Sequence, residues 1–113
     1  TARNWGRLAL LYLQDGVWQG ERLLPEGFVD FVSTPAPAWI EPVYGGMFWL
    51  NTDGKFEVPK DAYAMIGGGG QHVIMVPSLD LAIVRLGHSK GAKWATAALN
   101  EALRRLVATL PKN

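Results

Sequence analysis

Two apolar runs, Val73–Val76 and Leu81–Leu86, are separated only by Pro77-Ser78-Leu79-Asp80. So short a connection turns the chain back antiparallel on itself, because a parallel pairing needs a crossover of about a dozen residues or more. Neither run alternates regularly between apolar and polar residues, which is the pattern of strands buried on both faces of a sheet. The chain must therefore build an antiparallel sheet with cover on each side, and the remaining segments must supply that cover.

Near the C-terminus, Trp94, Ala95, Ala98, Leu99, Ala102, Leu103, Leu106, Val107 and Leu110 fall on one helical stripe, while Glu101, Arg104 and Arg105 face away. Pro111 stops that helix. At the other end, Thr1 is placed to cap a helix whose Trp5, Leu8, Ala9 and Tyr12 recur at the spacing of one buried face. Asp15-Gly16 ends it, the glycine being free to take a positive φ. Val17–Leu24 reads as a small turn or hairpin, and Pro25 opens a short helix with Phe28, Val29, Phe31 and Val32 as its apolar content. Three prolines between Ser33 and Pro42 make an extended loop. Met47–Asn51 is rich in strand formers, Asp53-Gly54 is a turn signal, and Tyr63–Ile66 is a further strand. The order is helix, small hairpin, short helix, loop, about three antiparallel strands and helix. This predicts an α+β chain whose antiparallel sheet is flanked by helices. The final helix can cover one face. The other face and at least one edge are under-supplied, which predicts either missing structure of the same domain or a homo-oligomer formed through the exposed sheet surface.

Composition narrows the function. Hydrophobic residues make up 49% of the 113, five of them tryptophan, so the chain is made to bury a core. A formal net charge of +1, with no basic face, argues against a nucleic-acid partner. No apolar run approaches the roughly 18 residues of a membrane span. The chain has no cysteine, so disulfides and thiolate metal sites are excluded, and the compartment stays open between periplasm and cytoplasm. His72 and His88 have no ligand-type spacing to each other or to a carboxylate, so neither a metal nor a cofactor is expected. Thr1-Ala2-Arg3-Asn4 has neither the charged start nor the apolar stretch of a signal peptide. The lack of an initiating methionine points to a fragment or a processed product.

The chemistry-bearing stretch is Met65-Ile66-Gly67-Gly68-Gly69-Gly70-Gln71, which leads straight into His72–Pro77. Successive glycines at a strand entrance leave backbone N–H groups unshielded, able to lie against a ligand or face a developing negative charge. The plainer alternative is a tight, twisted strand start. Gln71-His72 stands where Gly-Lys-Ser/Thr would have to follow, which argues against a phosphate loop. Ser33, Ser78 and Ser89 lie in neither a Ser-x-x-Lys pair nor a Gly-x-Ser-x-Gly elbow, so the chain holds no recognisable nucleophile-plus-base set. Gln71 reads first as a group that satisfies backbone at the strand start. His72 faces the other side by alternation and reads as structural. Trp49 and Tyr44 read as aromatic core, with the border of a cleft as the alternative.

Four stretches then fall into a familiar order. They are Thr1–Arg7 with Leu11–Gly16, Asp15–Pro25, Tyr44–Trp49, and Gly67–Gln71 running through Pro77 to Leu86. As an ordered set they resemble the C-terminal portion of the serine β-lactamase-like hydrolases. That group holds class C β-lactamases, D-alanyl-D-alanine carboxypeptidases, related esterases and 6-aminohexanoate-oligomer hydrolases. The likeness covers nearly all of this chain but only about the last third of a typical member.

The resemblance implies a β-lactamase/transpeptidase-like fold and acyl-enzyme chemistry on a small-molecule ester or amide. The family's serine, lysine and proton-moving tyrosine precede the matched region, so nucleophile and base are not in this chain and the isolated chain is expected to be inactive. Met65-Ile66-Gly67 occupies the place of the family's Lys-Thr-Gly or His-Thr-Gly. The next residue, Gly68, takes the role of oxyanion-hole N–H donor. Met65, Gly67, Gly69 and Gln71 are the implied substrate-binding residues. Met65 departs from the pattern, because β-lactamases and carboxypeptidases place a cation or imidazole there to hold a substrate carboxylate. That departure leans toward the esterase and 6-aminohexanoate-hydrolase branches. A β-lactamase or carboxypeptidase, and a non-catalytic binding or assembly module on the same scaffold, are the alternatives.

Overall fold

The computed structural model describes residues 1–90 and 96–112. Trp94 and Ala95, assigned above to the last helix, lie outside the described residues. The chain runs through α1 (Ala2–Leu13), β1 (Val17–Trp18), β2 (Glu21–Arg22), α2 (Phe28–Val32), β3 (Trp49–Leu50), β4 (Tyr63–Gly67), β5 (Gln71–Val76), β6 (Leu81–Arg85) and α3 (Ala97–Ala108). β1 and β2 form the small hairpin. The other four strands form one antiparallel sheet in the order β3-β4-β5-β6, each strand pairing with its neighbour in sequence. The sheet has four strands where about three were expected, because the two residues of β3 still pair Trp49 with Ala64 and Leu50 with Tyr63.

The β5–β6 hairpin forms where the apolar runs place it. Pro77–Leu79 makes a single 3₁₀ turn, and Asp80 takes a φ of 48° to redirect the chain. Asp61 braces this corner from β4's side: its carboxylate accepts from Ser78 N–H at 2.7 Å and from Ser78 Oγ at 2.9 Å.

Alternation along β4 and β5 divides the core in two. Tyr63, Val73 and Met75 pack with Ala9, Val32, Phe48 and Leu50 on one face of the sheet. Ala64, Ile74 and Val76 pack with Phe56, Ala62, Leu99 and Leu103 on the other. The expectation of an uncovered second face is therefore corrected. α1 lies against β5 and β6 on the face opposite α3, so a helix at each end of the chain supplies the cover. Thr1 Oγ1 accepts from the Asn4 N–H at 3.2 Å and fixes the start of α1, as its position predicts.

Two details depart from the helical stripes. Trp5 is 45% exposed rather than buried on α1. On α3 only Leu99 and Leu103 are buried, while Ala98, Ala102 and Leu106 line an apolar groove with Ile83 and Arg85 of β6. β6 is half-buried at every position, and no described residue pairs with its outer side. The sheet therefore keeps one open edge, bordered by apolar surface.

Candidate functional site

The register of the β4–β5 hairpin decides what the glycines do. Gly67 pairs with Gln71, which leaves Gly68, Gly69 and Gly70 as the connecting loop rather than the start of a strand. Gly69 and Gly70 take φ of 86° and 87°, in the left-handed region that side chains rarely adopt. Both are also crowded. A Cβ on Gly70 would lie 2.2 Å from Arg85 Nη1, and one on Gly69 would lie 3.2 Å from Gln71 Nε2. These two glycines are thus required by the turn itself.

Gly68 is different. It is exposed, its φ lies outside the left-handed region, and a Cβ there would meet no atom within 4 Å. Its N–H donates to no described residue. Neither backbone geometry nor packing in this chain calls for a glycine at that position.

The loop is held from one side by the segment that follows β6. Arg85, level with His72 in the β5–β6 register, donates from Nη1 to the Gly70 carbonyl at 2.6 Å. Ser89 N–H donates to the Gly69 carbonyl at 2.9 Å. Gln71 and Gly87 bond reciprocally: Gln71 Nε2 donates to the Gly87 carbonyl at 2.6 Å, and Gly87 N–H donates to Gln71 Oε1 at 3.0 Å. His72 is 1% exposed, with Nδ1 3.2 Å from the Gly70 carbonyl. A carbonyl only accepts, so this contact places a proton on Nδ1. Gln71 thus has its amide committed to the backbone of Gly87, in line with its first reading, and His72 is buried against the loop.

Met65, Ile66 and Gly67 lead into the loop. Met65 is half-buried and packs against the α1-side core. With Trp5, Ile66, Gly67, Val73 and Leu86 it lines an apolar hollow of about 220 Å³ at the glycine end of the sheet. No charged side chain is among those lining residues. The hollow, and the parts of Trp5 and Leu86 in it, escaped the sequence reading, which took Trp5 as core.

The hydroxyls of Ser33 and Ser78 are engaged in structure. Ser33 Oγ donates to the Val29 carbonyl at 2.8 Å, and Ser78 Oγ is held by Asp61. Tyr63, two residues before Met65, is 2% exposed, and its hydroxyl has no hydrogen-bond partner among the described residues. Burial first, and then the nearby Tyr12 and Asp15, push its pKa up to about 12, so it is a neutral phenol at physiological pH. Among the described residues no cluster of three His, Asp or Glu is placed to hold a metal, and no helix is long and apolar enough to cross a membrane.

Trp39, Tyr44 and Trp49 form a second aromatic feature beside β3. Ring centroids lie 5.0 Å apart for Trp39–Tyr44, 4.7 Å for Tyr44–Trp49 and 6.0 Å for Trp39–Trp49. Trp39 is 48% exposed, so the cluster caps the sheet edge rather than filling the core.

No family model matches the chain, and no curated protein sequence does. Solved structures do share its fold. A Bacillus anthracis protein provisionally assigned as a 6-aminohexanoate-dimer hydrolase superposes with a TM-score of 0.73 at 19% sequence identity, over 99% of this chain. The chain spans only 30% of the length of that neighbour. The α+β architecture, with its antiparallel sheet flanked by helices, is accordingly a fold that this chain shares with one part of that neighbour.

Proposed function

We propose that this chain is the C-terminal segment of a serine hydrolase that cleaves a small-molecule ester or amide through an acyl-enzyme. In this reading the loop after β4 supplies the Gly68 N–H to the oxyanion hole, and nucleophile and base come from a preceding portion of the same domain. The observation that carries the reading is Gly68 itself. It is a glycine that the fold does not require, with an N–H bonded to no described residue and open space above it. A bare N–H in that state is what a developing oxyanion needs, and one such donor is typically worth about 3 kcal/mol of barrier. The fold of the hydrolase neighbour, and the 30% of its length that is matched, support a catalytic set completed elsewhere.

Met65 favours an uncharged group on the substrate side. The hollow beside it is apolar, so an acyl or alkyl group suits it better than the carboxylate that a β-lactamase or carboxypeptidase must hold. The open edge of β6 and the groove between β6 and α3 are the surfaces that the preceding portion would cover.

The test uses a longer polypeptide carrying this segment together with a Ser-x-x-Lys helix. It should hydrolyse p-nitrophenyl acyl esters and be labelled by a fluorophosphonate, whereas residues 1–113 alone should do neither. Replacing Gly68 with proline removes the N–H and should lower kcat by about 100-fold or more, while Gly68→Ala keeps the donor and serves as the control. Equal kcat in the proline variant, alanine variant and wild type would remove Gly68 from the mechanism. Absence of both labelling and turnover in the longer protein would sink the hydrolase reading.

A further inference from the structure

We infer that Arg85 and Gly87, with Gln71, are positioning residues for the oxyanion loop: together they hold the peptide units that follow Gly68 and so limit where the Gly68 N–H is presented. The inference rests on the proposed role of Gly68 and assigns a positioning duty to residues that act through the loop backbone. Gly69 and Gly70 are left-handed glycines, so by themselves they leave the loop many conformations of similar energy. Oxyanion stabilisation depends on a donor that is already fixed before charge develops. Something outside the loop must therefore hold it.

The segment after β6 does so through the loop's carbonyls. Gly69 O is held by Ser89 N–H at 2.9 Å and Gly70 O by Arg85 Nη1 at 2.6 Å. Because each peptide is planar and trans, holding the Gly69 carbonyl fixes the N–H of Gly70, and holding the Gly70 carbonyl fixes that of Gln71. Gly67 is held by its pairing with Gln71, so Gly68 lies between two fixed points. Two successive peptide planes of the loop are thereby oriented away from the 85–89 segment. The bond from Arg85 is charge-assisted, hence stronger than one between neutral groups. Arg85 makes no ion pair with a described carboxylate that would draw it elsewhere.

Gly87 sets the spacing. A Cβ on it would lie 2.6 Å from Gly70 O, 2.7 Å from Gly69 O and 2.7 Å from Arg85 Nη1. Its φ is not left-handed, so only this close approach explains the glycine. The reciprocal pair between Gln71 and Gly87 keeps the two segments in register. A single methyl group on Gly87 would push the loop off the segment that holds it.

The experiment compares Arg85→Ala, Arg85→Lys and Gly87→Ala in the longer hydrolase. Turnover of p-nitrophenyl butyrate, inhibition by an alkyl boronic acid, thermal melting and amide hydrogen exchange of Gly68–Gly70 are followed together. Arg85→Ala and Gly87→Ala should lower kcat by about tenfold or more with KM within about threefold, the mark of an interaction that acts in the transition state. Boronic acid affinity should fall in parallel with kcat, because the tetrahedral adduct uses the same donor. Added guanidinium should restore part of the rate to Arg85→Ala and none to Gly87→Ala. A purely structural role would lower the melting temperature and leave kcat and boronate affinity intact in the folded fraction. That result, or unchanged exchange in the loop amides of either alanine variant, overturns the inference. If the wild-type protein hydrolyses nothing, the functional reading fails, while faster exchange in Gly69 and Gly70 of the variants still establishes the clamp.

Discussion

Tyr63→Phe removes one oxygen atom and should make the protein more stable. The phenol is 2% exposed, and its hydroxyl finds no partner among the described residues, although Phe48 packs on its ring at a centroid distance of 5.6 Å. Burying an unbonded hydroxyl costs about 1–3 kcal/mol judged by protein mutations, and the unfolded chain escapes that cost by bonding to water. Phenylalanine keeps the ring contacts, so the variant should gain about 1–2 kcal/mol at pH 7. The gain should grow with pH. Tyr63 titrates near 10 in the unfolded chain and at about 12 in the folded one. Between those values the unfolded state has released a proton that the folded state retains, so ν_U is smaller than ν_N and wild-type stability falls as pH rises. This contribution is fully present below pH 10. It declines through the window up to about 12, by at most about 1.4 kcal/mol per pH unit. The assay is urea unfolding of both proteins at pH 7, 9, 10 and 11. Subtracting the two curves cancels every other titrating group. A variant less stable than wild type at pH 7 would mean that the hydroxyl has a partner, such as a bound water. A stability gap that stays flat from pH 9 to 11 would refute the buried-phenol argument outright.

Other substitutions probe the scaffold under the site. Asn51, 2% exposed, donates from Nδ2 to the carbonyls of Phe56, Val58 and Pro59 and accepts from the Phe56 N–H. Asn51→Ala should therefore cost about 3 kcal/mol or more in urea unfolding. Leu103, 1% exposed beneath β5, should cost about 2–5 kcal/mol on truncation to alanine, read as a lower thermal midpoint. Gly70→Ala, forced into a left-handed φ against Arg85, should destabilise by about 1–3 kcal/mol, whereas Gly68→Ala should stay within about 0.5 kcal/mol of wild type.

The β5–β6 hairpin was legible because its signals are local: two apolar runs, a four-residue connection and a proline in the turn. The caps of α1 were legible for the same reason, through Thr1 and the Asp15-Gly16 pair. What local pattern could not convey was which glycines the turn itself requires. That depends on the pairing of Gly67 with Gln71, a register fixed by the opposing strands rather than by the glycines. Until that register is known, Gly68 and Gly70 are equivalent letters. Once it is known, one is forced by backbone and packing and the other is not. Arg85 was hidden for a related reason. It reads as the polar end of an apolar strand, and only the hairpin brings it level with His72 and against the loop carbonyl.

The error over sheet cover has a physical lesson that bears on function. The apolar stripe of α1 shows which side of the helix is buried but not which sheet face it lands on. Its Trp5 is half-exposed, yet Ala9 is fully buried, and the helix packs along one face of β5 and β6. With a helix on each face, the features left unpartnered among the described residues include the outer side of β6, the groove between β6 and α3, the apolar hollow at Trp5 and Leu86, and the N–H of Gly68. The hollow also takes in Gly67, and Ser89, just beyond Leu86, donates to Gly69 O, so hollow and glycine loop share one end of the sheet. A stable fold rarely leaves an unpaired strand, an apolar hollow and a bare donor without a use. The meeting of hollow and bare donor at one end of the sheet is what the proposed role of Gly68 would require.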